Sequence, residues 1–303
     1  MRVTNSQIFD RITTQLNNQQ ARLANTQEKI ASGRNFLKPS DAPDQVAALD
    51  RLESRLNQTQ RYMDNIGFAK DKLGQQEMVI NTLYDDLSRV QELMVQGANG
   101  TMDANTRNAM AIEIREIYNS MVSLGNQKAN DGSYLFSGYV QNKPPFAMDA
   151  NGEIQYQGND EIQVIGIDDD FAIEVGMPGM QLFGGFKDAQ GGNSDIFTVL
   201  ETALGRLESN DAAGVQASID DVEQALTHAN VRLARVGSLM RTAENQLGVH
   251  EARVFAFEKA ISQVEDLDYV TAVNELKQQT LALQAGQSSF AQISNLSLFN
   301  YIR

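Results

Sequence analysis

The stretch IDDVEQALTHANVRLARVGSLMRTAENQLGVHEARVFAFEKAISQV, from Ile219 to Val264, decides the fold class of this chain. Apolar residues recur along it at alternating steps of three and four, which is the heptad pattern of a helix that packs along one stripe. A helix cannot bury such a stripe alone, so the pattern predicts a bundle of long helices. The stripe consists of Ile219, Val222, Leu226, Ala229, Leu233, Val236, Met240, Ala243, Leu247, His250, Val254, Phe257, Ile261 and Val264.

A second long helix is predicted earlier in the chain, where one apolar position recurs every seven residues. Asp41 is expected to cap this helix, with Pro43 in its first turn, and the sequence GANG from Gly97 to Gly100 is expected to end it. Asp103 is then placed to cap a third helix. The recurring position is occupied by Leu52, Thr59, Ile66, Leu73, Ile80, Leu87 and Met94.

The periodicity changes between Tyr139 and Gly185, where short β-prone runs such as EIQVIGI and FAIEVG alternate with turn sequences such as DANG and GND. Short strands separated by turns predict a small antiparallel β unit. The segment is also acidic, because it holds eight Asp and Glu residues between Pro144 and Phe186 but no Lys or Arg. The predicted fold is therefore mainly α, an antiparallel long-helix coiled-coil bundle with a small inserted antiparallel β domain.

Three parts of the chain are predicted from these patterns. Residues 41–138 and 190–265 are expected to form the long-helix bundle, and residues 139–189 the inserted acidic β domain. Residues 1–40 and 266–303 are expected to form terminal helices that come together at the end away from the insertion and build an inner polymerisation core.

The terminal helices differ from the bundle in their seams, which are half polar, with Gln19 and Thr26 at seam positions. The chain also carries no charged residue from Gln278 to Ile302. Weak seams with few charges favour contacts with other subunits over a simple intramolecular pair. The residues expected at this assembly interface are Ile12, Leu16, Leu23, Ile30, Leu276, Leu283, Phe290, Ile293 and Leu296.

Composition excludes several classes of partner. Asp and Glu total 39 against 25 Lys and Arg, a net charge of −14, which argues against binding to nucleic acid because phosphates would repel the chain. The uncharged C-terminal stretch is too rich in Gln, Asn and Ser to span a membrane. The first fifteen residues contain no apolar core of a cleavable secretory signal. We therefore expect either a cytoplasmic protein or export by a route that does not read such a signal.

No pattern in the sequence supports catalysis. The chain has no Cys and two His residues, and it lacks the common metal, phosphate and nucleophile motifs. His250 occupies a seam position, where a polar residue setting the helix register is the favoured interpretation. The run Asp168–Asp170 lacks the spacing of a calcium loop and is expected to be a solvated turn. We expect no enzyme activity, no cofactor and no metal.

Several segments resemble the flagellin family of bacterial axial proteins over nearly the whole chain. The run SGRNFLKPSDAPD, from Ser32 to Asp44, is similar to the family's turn and break after the first helix, although Ala42 stands where many members have a second acidic residue. The C-terminal run from Glu265 is similar to the family's glutamine-rich terminal helix. Within the family, NDGSYLFSGY, from Asn130 to Tyr139, and the short middle segment resemble the members found at the hook–filament junction.

The resemblance implies a structural component of the bacterial flagellum, an adaptor at the hook–filament junction on which flagellin polymerises. Its partners would be itself, the first hook–filament junction protein, flagellin and a cytoplasmic flagellar export chaperone, with no nucleic acid and no membrane span. Secretion would use the flagellar type III apparatus.

Three alternatives stay open from the sequence. The chain could be a short flagellin that forms the filament itself, a flagellin-like protein with an inserted hydrolase, or a cytoplasmic coiled-coil scaffold. The poverty in His residues and the missing metal motif argue against the second of these.

Overall fold

The computed structural model describes residues 2–140, 143–150 and 152–299, with the side chains of residues 2–6, 8 and 293–299 left out of the description. Seven α-helices, one 3₁₀ turn and six short strands make up this described part of the chain. They are α1 (Arg2–Ser32), the 3₁₀ turn (Pro39–Asp41), α2 (Pro43–Gly97), α3 (Ala104–Gly125), β1 (Phe146–Met148), β2 (Ile154–Tyr156), β3 (Val164–Asp168), β4 (Phe171–Glu174), α4 (Gly179–Phe183), β5 (Gly184–Lys187), β6 (Asn193–Asp195), α5 (Ile196–Glu208), α6 (Ala212–Glu265) and α7 (Tyr269–Phe299).

The chain divides into two compact units. The terminal unit comprises residues 1–58 and 252–303, and therefore contains α1, the start of α2, the end of α6 and α7. The central unit comprises residues 59–251 and contains α3, α4, α5, all six strands and the remaining parts of α2 and α6. The three functional parts expected from the sequence remain a prediction.

The central unit has a large apolar core to which α2, α3, α5 and α6 all contribute buried side chains. Leu87, Ile114 and Val222, from the seams of three different helices, are fully buried. Burial of this kind contributes about 1.5–3 kcal/mol for each large aliphatic side chain. The predicted helical fold class, built on heptad seams around a small β insertion, is therefore confirmed.

Helix boundaries follow local capping chemistry in most places. Asp103 caps α3 as predicted, because its carboxylate accepts a hydrogen bond of 2.7 Å from the backbone N–H of Thr106. The prediction for Asp41 is wrong. Its carboxylate accepts a hydrogen bond of 3.0 Å from the Lys38 N–H within the 3₁₀ turn, and α2 begins two residues later at Pro43. The proline ring suits the first helical position, where no N–H is needed, so the helix starts there without a side-chain cap.

A turn that no sequence pattern predicted separates α5 from α6. Asn210 lies in this turn and adopts a φ of 54°, which favours asparagine over most other residues. Its side chain accepts a hydrogen bond from Arg107, whose guanidinium also donates to the carbonyls of Gly97 and Asn99 at 2.8 Å each. Arg107 is 3 % exposed, so one buried guanidinium joins the end of α2, the turn that follows it and the α5–α6 turn.

The strands form three separate two-stranded antiparallel ribbons, β1–β2, β3–β4 and β5–β6. The antiparallel prediction is confirmed, but the strands extend to Asp195, beyond the predicted end at Gly185. A cluster of aromatic rings fixes the first ribbon on the bundle, with Phe146 packed 5.3 Å from Phe197 and 4.9 Å from Phe183 between ring centres. Ring pairs in this range contribute energy beyond area burial.

Candidate assembly surface

Helices α1 and α7 form an antiparallel pair in the terminal unit. The rings of Phe9 and Phe290 meet edge to face at 5.6 Å, while Tyr269, at the start of α7, lies beside Gly33, which follows α1. The connection is reinforced where the chain leaves α1, because the Leu267 N–H donates to the Gly33 carbonyl at 2.9 Å. Gly33 has a φ of 72°, so it can stop α1 where residues with side chains would be strained.

Close approach of the two helices depends on small residues in α7. A Cβ on Gly286 would lie 3.0 Å from Leu16 Cδ2, which is tighter than ordinary van der Waals contact. Ala272 is 4 % exposed and Thr26 is 6 % exposed. These two are the only buried side chains of the terminal unit within the described part of the chain.

The structure brings several of the predicted interface residues together. Ile12, Leu16 and Phe290 line a shallow groove of about 220 Å³ along the α1–α7 pair, together with Gln15 and Gln19 among others. All of the remaining described members are half-buried, at the same seven-residue spacing on α1 and on α7: Leu23, Ile30, Leu276 and Leu283. The side chains of Ile293 and Leu296 lie outside the described residues.

One buried polar atom on α7 destabilises the α1–α7 pair. Gln279 Oε1 is buried and accepts no hydrogen bond from any described residue. An unsatisfied buried acceptor costs about 1–3 kcal/mol. Partly buried apolar side chains stabilise the α1–α7 pair, and the unpaired oxygen of Gln279 destabilises it. The pair is therefore weak on its own.

Exposed apolar side chains mark the outer faces of the terminal unit. Val270 is 74 % and Leu281 66 % exposed on α7, and Phe255 is 70 % exposed on α6. None of the three lies at a predicted seam position, so the heptad pattern did not predict them. Val270 and Leu281 are eleven residues apart, three turns of a helix, so their shared outer face could have been found from spacing alone.

His250 and Asp168, the polar residues considered above as possible functional groups, both contact neighbouring residues of the central unit. His250 is fully buried, its Nε2 lies 2.6 Å from the Ile167 carbonyl, and its ring stacks on Tyr62. Asp168 lies at the turn between β3 and β4, where its carboxylate accepts a hydrogen bond of 2.7 Å from Gln246. No group of three or more potential metal-ligating side chains occurs among the described residues.

His228 sits in a different environment from His250. Its Nε2 lies 2.9 Å from the Gln181 carbonyl, and burial, with a smaller contribution from the guanidinium of Arg232, lowers its pKa below 6.5.

No described helix is long and apolar enough to cross a membrane.

Comparison with known proteins shows which proteins this chain is similar to. The profile of the bacterial flagellin N-terminal helical region matches residues 5–141, which run through α1, α2 and α3. The N-terminal part of the chain is therefore similar to the helical region of bacterial flagellins. Among curated relatives, this chain is 23 % identical over 320 residues to flagellar hook-associated protein 3 of Salmonella typhimurium, covering 100 % of both chains. The corresponding protein of Escherichia coli is 23 % identical over 316 residues and covers 99 % of both.

Solved structures share the same fold. A putative flagellar hook-associated protein from Vibrio parahaemolyticus superposes with a TM-score of 0.68 at 20 % identity, over 75 % of this chain and 100 % of that one. Flagellar hook-associated protein 3 from Legionella pneumophila gives a TM-score of 0.66 at 14 % identity, over 71 % and 98 %. The long-helix bundle predicted from the heptads, and its flagellin-like character implied by the resemblance, are thereby confirmed.

Proposed function

We propose that this chain is a structural component of the bacterial flagellum, an adaptor at the hook–filament junction on which flagellin polymerises. The curated relatives named flagellar hook-associated protein 3 match over essentially their full lengths, which favours the adaptor over a short flagellin. The observation that carries the proposal is the shortage of buried side chains in the terminal unit, where Thr26 and Ala272 alone are buried among the described residues.

The terminal unit is proposed to complete its burial against neighbouring subunits. A pair of helices can cover only one side of each seam, and the predicted interface residues whose side chains are described remain half-buried after the pair has formed. Neighbours would add the second side and would also cover Val270, Leu281 and Phe255. The neighbours are further copies of this chain, the first hook–filament junction protein on one side and flagellin on the other.

Secretion and chaperone binding follow from the same surface. A terminal unit that leaves large apolar side chains exposed needs cover before assembly, and a cytoplasmic flagellar export chaperone would supply it. The uncharged stretch from Gln278 to Ile302 would lie in the inner core, where it would neither attract nor repel charged cargo passing through the axis. The role is structural, and the protein would be found outside the cell at the junction.

Deleting the gene tests the proposal directly. We expect intact but bare hooks, flagellin released unpolymerised into the medium, and non-motile cells. Immunogold labelling of the wild-type protein should mark one point close to the hook. Label along the whole filament, or long filaments growing from the deletion strain, would instead assign the chain to the flagellins.

A further inference from the structure

The sequence contains two Asn–Gly pairs, at 99–100 and 151–152, and one Asp–Gly pair, at 131–132. In such pairs the backbone nitrogen of the glycine can attack the side-chain carbonyl carbon of the preceding residue, because no Cβ on the glycine hinders the approach. The product is a five-membered imide, which water then opens. The attacking nitrogen must first lose its proton, so a hydrogen bond from that N–H slows the reaction as it slows amide exchange.

The structure distinguishes the three pairs by the hydrogen bonds of their glycine nitrogens. The Gly132 N–H donates to the Ala129 carbonyl at 2.9 Å, and the Gly152 N–H donates to the Asp149 carbonyl at 3.2 Å. The Gly100 N–H, in contrast, donates to no group among the described residues. Gly100 is therefore the glycine of the three whose nitrogen can react without first breaking a hydrogen bond.

The side chain of Asn99 is held close to that nitrogen. Its Oδ1 accepts hydrogen bonds from the Thr101 N–H at 3.1 Å and from the Thr101 hydroxyl at 2.9 Å. These bonds fold the carboxamide over the peptide that links Asn99 to Gly100, as in an Asx turn. They also polarise the side-chain carbonyl, which makes its carbon a better electrophile. Asn99 and Gly100 are both exposed, so water reaches the site.

The backbone carbonyl of Asn99 is bonded to a buried cation. Arg107 is 3 % exposed, and its Nη2 donates to this carbonyl at 2.8 Å. Its other hydrogen bonds go to the Gly97 carbonyl and to the side-chain oxygen of Asn210, so every acceptor of this guanidinium among the described residues is neutral. A buried charge is costly without a counterion, and a carboxylate in place of one neutral acceptor would compensate it.

We propose that Asn99 is a site of spontaneous deamidation and that Arg107 directs the product to isoaspartate. The Gly100 nitrogen loses its proton and forms a bond to Cγ of Asn99, while the side-chain nitrogen takes up a proton and leaves as ammonia. Water then adds to the former backbone carbonyl of Asn99. The bond from this carbonyl carbon to the Gly100 nitrogen breaks, and that nitrogen stays bonded to Cγ.

The guanidinium acts at the second of these steps. The oxyanion formed when water adds, and the α-carboxylate that remains, both develop on the carbonyl to which Arg107 already donates. Opening of the imide at the other carbonyl, which would give aspartate, receives no such stabilisation. The site lies in the central unit and is independent of the α1–α7 assembly surface.

Incubation of the full-length folded protein in mildly alkaline buffer, followed by peptide mapping with mass spectrometry, tests the proposal. Asn99 should convert about fivefold or more faster than Asn151, because the hydrogen bond of the Gly152 nitrogen must open before that pair reacts. Both pairs occur in the sequence Ala-Asn-Gly, so the local sequence is matched. In guanidinium chloride, where the chain is unfolded, the two rates should agree within about twofold. Equal rates in the folded protein, or faster conversion of Asn151, would overturn the assignment.

Gly100→Ala is the matched variant for the attacking nitrogen. A Cβ on Gly100 would meet no atom within 4 Å, and the φ of Gly100 lies outside the left-handed region, so the fold has room for alanine. The added methyl hinders the approach of the nitrogen to Cγ, and conversion of Asn99 should slow about tenfold or more. Thr101→Val, which removes one polarising hydrogen bond, should slow it about twofold. An unchanged rate in Gly100→Ala would overturn the imide route.

The ratio of isoaspartate to aspartate measures the part played by Arg107. Chromatography separates the two product peptides, and an isoaspartyl methyltransferase labels the isoaspartate form. The ratio at Asn99 should be about threefold or more higher in the folded protein than in the unfolded chain, where Arg107 no longer donates to the carbonyl. Arg107→Met should lower it to the unfolded value, and the wild-type comparison applies even if this variant fails to fold. Equal ratios in folded and unfolded wild type would overturn the role of Arg107.

Discussion

The terminal and central units use the same heptad pattern with opposite results. In the central unit the seam positions Ile66, Leu73, Ile80 and Leu87 are at most 1 % exposed. In the terminal unit the apolar seam residues described on α1 and α7 stay half-buried. The difference shows that a heptad stripe specifies a helix and its buried face, whereas the number of neighbouring helices decides how much of that face is covered.

The first prediction concerns a charge introduced into the half-buried seam of the terminal unit. Changing Leu283 or Phe290 to Asp should abolish incorporation into the flagellum while the monomer keeps its helical circular dichroism. A carboxylate buried between subunits costs several kcal/mol unless it is paired, and the cost recurs in every copy. Incorporation is measured by immunogold labelling of sheared flagella.

Asn119→Asp is the matched control, because it adds the same charge at an exposed position of α3, outside the terminal unit. This variant should incorporate normally. Normal incorporation of the Leu283 and Phe290 variants would show that these positions are not buried on assembly.

The second prediction compares the two units by the same truncation. Leu87→Ala, in the central core, should lower the free energy of unfolding by about 3 kcal/mol, as other fully buried leucines do. Leu283→Ala, in the terminal unit, should lower it by less than about 1 kcal/mol because the side chain is already partly solvated. Chemical denaturation followed by circular dichroism measures both, and equal losses would contradict the contrast in burial.

A third prediction concerns local opening in the monomer. Limited proteolysis should trim roughly 30–50 residues from each end before it cuts the central unit, because weakly packed helices at chain ends open most easily. Mass spectrometry of the resistant fragment locates the cuts. First cleavage within α3 or α5 would contradict the expected order of stability.

The fourth prediction concerns the pH dependence of the stability of the central unit. The pKa of His228 is lowered below 6.5 in the folded protein, so the unfolded chain binds the proton more readily. Stability of the central unit should be complete above pH 6.5 and should fall as the pH drops from 6.5 toward the folded-state pKa. His228→Gln should flatten that part of the denaturation curve, and an unchanged slope would exclude His228 as its source.

A smaller effect is expected from Asp268, which caps α7 in the terminal unit. Hydrogen bonds from the Thr271 hydroxyl and backbone lower the pKa of Asp268 below 3.8. Its contribution should be present above pH 3.8 and disappear as the pH falls through the folded-state pKa. Comparing helicity of the wild type with that of Asp268→Asn between pH 5 and about 2 measures it, and identical curves would exclude the cap.

Sequence patterns predicted the elements better than their connections. The heptads located α2 and α6. Asp103 could be predicted as a cap because its side chain needs only the N–H of Thr106, three residues later. The α5–α6 turn was missed because Asn210 depends on Arg107, about a hundred residues earlier, for its hydrogen bond. The three separate ribbons were also out of reach, since strand pairing depends on which helix face each ribbon covers.

The candidate surface shows the same limit. Spacing identified the faces of α1 and α7, but it did not show that Phe9 would meet Phe290 or that Gly286 would receive Leu16. Those contacts depend on the register between two segments at opposite ends of the sequence. No local pattern records that register.

The guanidinium of Arg107 has a consequence for how the central unit opens. It bonds to the end of α2, to Asn99 in the next turn and to Asn210 between α5 and α6, so no one of these segments can leave without breaking a buried charged hydrogen bond. The three segments therefore form one cooperative opening unit, although they are far apart in the sequence. Their slowly exchanging amides should report a single opening free energy, and Arg107→Met should split that value into separate ones.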